Sequence, residues 1–224
     1  MFSFELEKKI NSIELSYLFA KNLDHGVYRM GDWQLFEPSK FIYSFFALNM
    51  VYEINWMSTL RRNTLWDQRG KTHTKLYCLI EFLYQNSSFF DFHNEYKNFG
   101  SLENLIENSK KIKNDPNIDS LNKCEKLIEL DSFYNNYINS INNIKIDKFE
   151  ISDHYNLLAF TYQIRNNIFH GFKTVEMMTL REQRDRLIDY TNIVLLTLEM
   201  FFYVLEEKFD YCRASNMDLD ENII

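Results

Sequence analysis

The segment Tyr162-Gln163-Ile164-Arg165-Asn166-Asn167-Ile168-Phe169-His170-Gly171 sets a permanent cation, a hydrogen-bonding amide and a proton-transfer group within a few residues of one another. Histidine exchanges protons near neutral pH, with an unperturbed pKa of about 6.5. His170 therefore suits general acid or base work, taking a proton from a ribose 2′-hydroxyl or giving one to a leaving 5′-oxygen. Arg165 stays charged and can hold two phosphate oxygens at once, where a phosphorane-like transition state gathers negative charge. Asn166 is the positioning group. These are the parts needed to cut RNA without a metal.

On an ideal helix Arg165 and His170 diverge by roughly 140°, whereas Asn166 and His170 share a face. The long arginine stem must reach round, and Gly171 loosens the helix end beside the histidine. With nine arginines and five histidines, the bare spacing arises by chance roughly 0.2 times in such a chain. An arginine near a helix C-terminus also often does no more than satisfy carbonyls.

The elements that must carry these residues are helices. Gly appears five times and Pro twice in 224 residues, too little turn punctuation for an all-β sandwich or barrel. Apolar spacing predicts a helix from Phe4 to about Leu23, a connector through Gly26, Gly31 and Trp33, and a second helix opening at Pro38 and Ser39. The second helix is apolar almost all round, from Phe41 to Trp56, which implies burial on most sides or at a subunit interface. Asn49 and Glu53 are its polar exceptions and have two readings, as support for the site and as a polar pair satisfied inside the bundle.

A third helix is expected from about Thr72 to Phe90, with Arg61, Arg62, Arg69 and Lys71 in the gap before it. Residues 101–150, broken at Asp115-Pro116, read as two peripheral helices inserted into the bundle. Ser152 or Asp153 caps the helix that carries Tyr155, Leu158, Tyr162, Arg165 and Phe169, with Gly171 as its stop. The last helix runs from about Leu180 to Phe209, and residues 213–224 form a flexible tail. The expected architecture is one all-α domain, an up-and-down helical bundle.

The formal charge of −7 argues against a non-specific nucleic-acid coat and leaves room for a local basic site. Cys78, Cys124 and Cys212 lack metal or disulfide spacing and read as buried thiols in a reducing cytoplasm. The N-terminus has no signal-peptide pattern, and the apolar run Ile193–Leu205 is too short to span a bilayer, so no membrane partner is expected. His25, His73, His93 and His154 lack the pairing of helical metal ligands, and no nucleotide-cradling glycine loop is present. Neither a metal nor a cofactor is expected. Lys173, Arg181, Arg184 and Arg186 could rim an RNA site, but the interleaved Glu176, Glu182, Asp185 and Asp189 favour a mixed solvated face.

The decapeptide Tyr162–Gly171 resembles the Arg-x4-6-His signature of HEPN domains, in which Asn, Asp or His follows the arginine at the end of a helix in an all-α bundle. Residues Phe41 to Tyr52 are similar to the apolar second helix of defence-associated members, where an Asn is followed three residues later by Tyr, here Asn49 and Tyr52. The resemblance implies a metal-independent endoribonuclease, of toxin–antitoxin or antiviral defence type, leaving 2′,3′-cyclic phosphate and 5′-hydroxyl ends. It implies a homodimer with Arg165, Asn166 and His170 of both copies at one composite site, supported by Asn49, Tyr52 and Glu53, acting on RNA such as tRNA or mRNA. It also implies an antitoxin or defence-system partner protein. Phe172 departs from the pattern, standing where members controlled by a nucleotidyltransferase carry a modifiable Tyr. The alternative is a HEPN-like subunit that binds nucleotide, RNA or a partner without catalysis.

Overall fold

The computed structural model describes residues 4–23, 29–30, 33–34, 36–54, 71–87, 91–98, 102–110, 127–169 and 175–211. The apolar spacing of the C-terminal third produces its longest element, Arg181–Phe209. Leu187, Tyr190, Ile193, Val194, Leu198, Phe201, Phe202 and Leu205 are all buried there, too many for one stripe, so neighbours must cover the helix on several sides. By length and composition it could cross a membrane, and 78% of its most apolar stretch is buried inside the protein, as in a core helix.

The described elements are α1 (Phe4–Asn22), β1 (Arg29–Met30), β2 (Trp33–Gln34), α2 (Phe36–Tyr52), α3 (Lys71–Asn86), α4 (Phe92–Asn98), α5 (Leu102–Lys110), α6 (Leu127–Lys145), α7 (Ile151–Phe169), α8 (Val175–Thr179) and α9 (Arg181–Phe209). The all-α expectation holds, apart from a minimal antiparallel ribbon pairing Met30 with Trp33 in the predicted connector. Tyr190 of α9 is a packing node. Its ring lies 6.2 Å from Phe41 of α2, 6.2 Å from Tyr137 of α6 and 5.9 Å from Phe160 of α7. Full burial of each such side chain contributes about 1.5–3 kcal/mol. The helix α1 is tied to α9 by the Tyr17 hydroxyl, which donates to the Glu199 carboxylate.

The helix α6 lies outside α7. It buries Tyr137, Ile141 and Ile144 and exposes the opposite face, the one-sided pattern of an outer-layer helix. Asp153 locks the two together. Its buried carboxylate accepts from Ser140 Oγ at 2.8 Å, from Asn143 Nδ2 at 3.0 and 3.1 Å, and from the Glu150 backbone N–H at 2.9 Å. The helix therefore starts earlier than expected, at Ile151. Asp153 acts from inside the first turn, its carboxylate reaching back to a backbone N–H in the manner of the acidic partner of a capping box.

In this glycine-poor chain two Asp residues take left-handed backbone at helix ends, Asp147 (φ 57°) after α6 and Asp210 (φ 50°) after α9. Aspartate tolerates that region better than most residues. Behind Asp210 the Tyr211 N–H reaches back to the Leu205 carbonyl at 3.2 Å, closing α9.

The mixed solvated face expected around Arg181–Asp189 fails at two positions, because one face of α9 packs inward from its first turns while Arg181, Glu182 and Asp185 stay exposed. Arg186 and Asp189 are 2% and 3% exposed, and Arg184 Nη1 lies 3.6 Å from Glu37. Cys78 is partly buried against the core rather than fully so. Cys124, Cys212, Arg61, Arg62, Arg69, the Asp115-Pro116 break and the tail 213–224 lie outside the described residues.

Candidate functional site

Arg165 stands in the last turns of α7. Residues three and four apart on a helix are neighbours, so Tyr162 and Phe169 flank it from either side. The guanidinium carbon is 4.0 Å from the Phe169 ring centre and 5.9 Å from that of Tyr162. Nη1 donates to Asn166 Oδ1 at 3.0 Å. That hydrogen bond uses one of the five N–H donors of the fork, and Nε is buried without a hydrogen-bond partner among the described residues. Among the described residues the arginine is thus held by two rings and an adjacent amide. His170 follows the last residue of α7; it, Gly171, Phe172 and Lys173 lie outside the described residues.

The end of α2 meets this turn. The ring of Tyr52 packs edge-on against Tyr162, 6.4 Å between centres, and its hydroxyl donates to Asn49 Oδ1 at 2.6 Å. Burial, reinforced by the neighbouring Tyr162, pushes the Tyr52 hydroxyl far above the usual tyrosine range, and the Arg165 charge works the other way. Tyr52 therefore remains a neutral donor close to the arginine. Asn49 bonds to Tyr52, three residues on, while exposed Glu53 pairs with Lys75 Nζ of α3 at 2.6 Å. Glu53 and Asn49 do not form the mutual pair that their spacing allowed. Of the sequence candidates, Arg165, Asn166, Tyr52 and Asn49 share one neighbourhood, and Glu53 turns to α3.

His73, in the first turn of α3, was the residue sequence reasoning passed over. Gln163 Nε2 donates to its Nε2 at 2.9 Å, which leaves Nδ1 protonated and facing the Tyr155 hydroxyl at 3.3 Å. Its ring stacks on Phe133 at 4.8 Å and meets Tyr162 edge-on at 5.7 Å. The histidine thus supports the turn of α7 that carries Arg165, from ninety residues away in the chain, and no local spacing could have revealed it. His154 is different. Thr197 Oγ1 donates to the Ile193 carbonyl at 2.8 Å and so must accept from His154 Nε2, 2.9 Å away. Full burial pushes His154 down to about 3. Among the described residues no group of three His, Cys, Asp or Glu side chains is placed to hold a metal.

An aromatic row leads outward from Arg165. Phe169 meets Phe46 at 6.2 Å, Phe46 meets Tyr43 at 5.6 Å, and Tyr43 meets Phe19 of α1 at 4.8 Å. Phe19, Phe46 and Phe169 are each more than 40% exposed, a contiguous apolar surface of the kind that marks an interaction face. Compared with known proteins, the chain matches no family model, and no curated protein or solved structure resembles it significantly.

Proposed function

We propose that the chain is a metal-independent endoribonuclease of HEPN type, acting in toxin–antitoxin or antiviral defence in the cytoplasm. The observation that carries the reading is the seating of Arg165, a cation fixed between Tyr162 and Phe169 with Asn166 and Tyr52 beside it. A guanidinium so held is pre-aimed at a phosphate, which is where such a cation contributes most to a transition state.

His170 takes the 2′-hydroxyl proton as that oxygen attacks phosphorus. His170 of the partner subunit protonates the 5′-oxygen as the P–O5′ bond breaks. The products are a 2′,3′-cyclic phosphate and a 5′-hydroxyl, with Arg165 countering the charge that builds on the non-bridging oxygens. The exposed aromatic row running from Phe169 through Phe46 supports pairing of two copies beside the arginine, since a two-fold contact uses the same patch twice.

End-group analysis tests the chemistry. Cleaved RNA should carry cyclic phosphate and 5′-hydroxyl ends, and 2′-deoxy or 2′-O-methyl substitution at the cut nucleotide should block cleavage there. Linear 3′-hydroxyl and 5′-phosphate ends would contradict the mechanism.

A further inference from the structure

The N-terminal end of α2 faces a second feature unrelated to Arg165. A half-open cavity of about 390 Å³ lies between the ends of α1 and α2 and the first half of α9, lined by Leu23, Phe36, Glu37, Lys40, Ile188, Thr191 and Asn192. A volume of that order fits a small organic molecule. From Glu37 to Tyr52 along the helix is roughly 20 Å, so the cavity and the arginine are separate sites.

Its polar groups have unmet capacity. Glu37 is 7% exposed, one carboxylate oxygen lies 3.6 Å from Arg184 Nη1, and the other, Oε2, is closed off from solvent and has no hydrogen-bond partner among the described residues. The carboxyl torsion is broad, so a partial turn about it swings an oxygen toward the cavity that Glu37 lines. Lys40, three residues on and on the same face, spends one donor on the Lys21 carbonyl at 3.0 Å and lies over the Phe36 ring. An ammonium has three donors and a carboxylate only acceptors. Thr191 Oγ1 is committed to the Leu187 carbonyl at 2.7 Å.

The geometry points to a binding site for a neutral ring that carries adjacent N–H and C=O groups, a lactam edge, with the N–H given to Glu37 and the carbonyl taken by Lys40. The apolar body of the ring lies against Leu23, Phe36 and Ile188. Arg184 already balances the Glu37 charge and Lys40 adds another cation, so a cationic ligand is disfavoured. A carboxylate ligand would meet the lone pairs of Glu37. Partial burial also holds Lys40 below the usual lysine range, the mark of an ammonium short of water and suited to a ligand carbonyl.

Calorimetric titration of the intact protein with isoquinolin-1(2H)-one, its N-methyl derivative and benzamidine tests this. The lactam should bind saturably, about tenfold or more tighter than either comparator, because blocking one buried hydrogen bond costs at least that much. Glu37→Leu should remove the preference for the free N–H. Ile188→Trp, at a position 43% exposed and therefore safe for folding, should fill the cavity and abolish binding. Equal binding of the lactam and its N-methyl form, tighter binding of benzamidine, no saturable binding of the lactam, or binding unchanged in Ile188→Trp would each overturn the assignment. None of these outcomes depends on RNA cleavage.

Discussion

Arg165 places its guanidinium 4.0 Å from the ring centre of Phe169, one turn further along α7. The contact lies on a helix face, at a ring that is 42% exposed, so it orients the cation more than it stabilises the fold. An exposed cation–π contact contributes about 0.5–1 kcal/mol.

Phe169→Leu should therefore leave urea stability within about 1 kcal/mol of wild type while lowering kcat for RNA cleavage by about three- to tenfold, through loss of arginine orientation. A kcat unchanged within error would show that Phe169 does not position the arginine.

The Asp153 clamp predicts the opposite balance. Asp153→Ala strips a buried carboxylate from Ser140, Asn143 and the Glu150 N–H, and should cost about 2–4 kcal/mol in chemical denaturation. A loss below about 0.5 kcal/mol would mean that α6 and α7 are held by their apolar faces alone.

Two buried groups act in opposite directions on the pH dependence of stability, across overlapping ranges. Burial raises Asp189 from its ordinary value to about 7, against the hydrogen bond from Asn108. Its contribution is fully present below about pH 4 and is lost as pH rises through about 7. Burial lowers His154 to about 3, so its contribution is present above about 6.5 and is lost as pH falls through about 3. Each window spans a few pH units and is therefore worth on the order of a few kcal/mol. The two windows overlap from about pH 4 to 6.5 with opposite slopes, so Asp189→Asn should make stability climb more steeply with pH there, and His154→Gln should make it fall as pH rises toward about 7. An unchanged slope in both variants would refute the assignment.

Helices were legible in the sequence because apolar residues recur at three and four positions and Gly and Pro are scarce, so most boundaries fall within a few residues of those expected. The start of α7 was misplaced because Asp153 bonds backward from inside the helix, and a capping residue and a first-turn residue look alike in sequence. Burial of Arg186 and Asp189 was hidden because they lie on the inward face of a helix whose other face is exposed, and sequence pattern reads charges as outward. At the site, local spacing was enough to bring Arg165 to Asn166 and Asn49 to Tyr52. The contacts of Tyr52 with Tyr162 and of His73 with Gln163 depend on how separate helices pack, which no short-range pattern records.

The central claim rests on Arg165 and His170 acting together on RNA without a metal. The direct measurement is cleavage of total RNA and tRNA by purified protein in EDTA, beside Arg165→Ala and His170→Ala variants of equal thermal stability. Cleavage should survive chelation, fall by about 10²-fold or more in Arg165→Ala, and fall by about 10²–10⁴-fold in His170→Ala. Cleavage that persists in both variants, or that EDTA abolishes, would contradict the account.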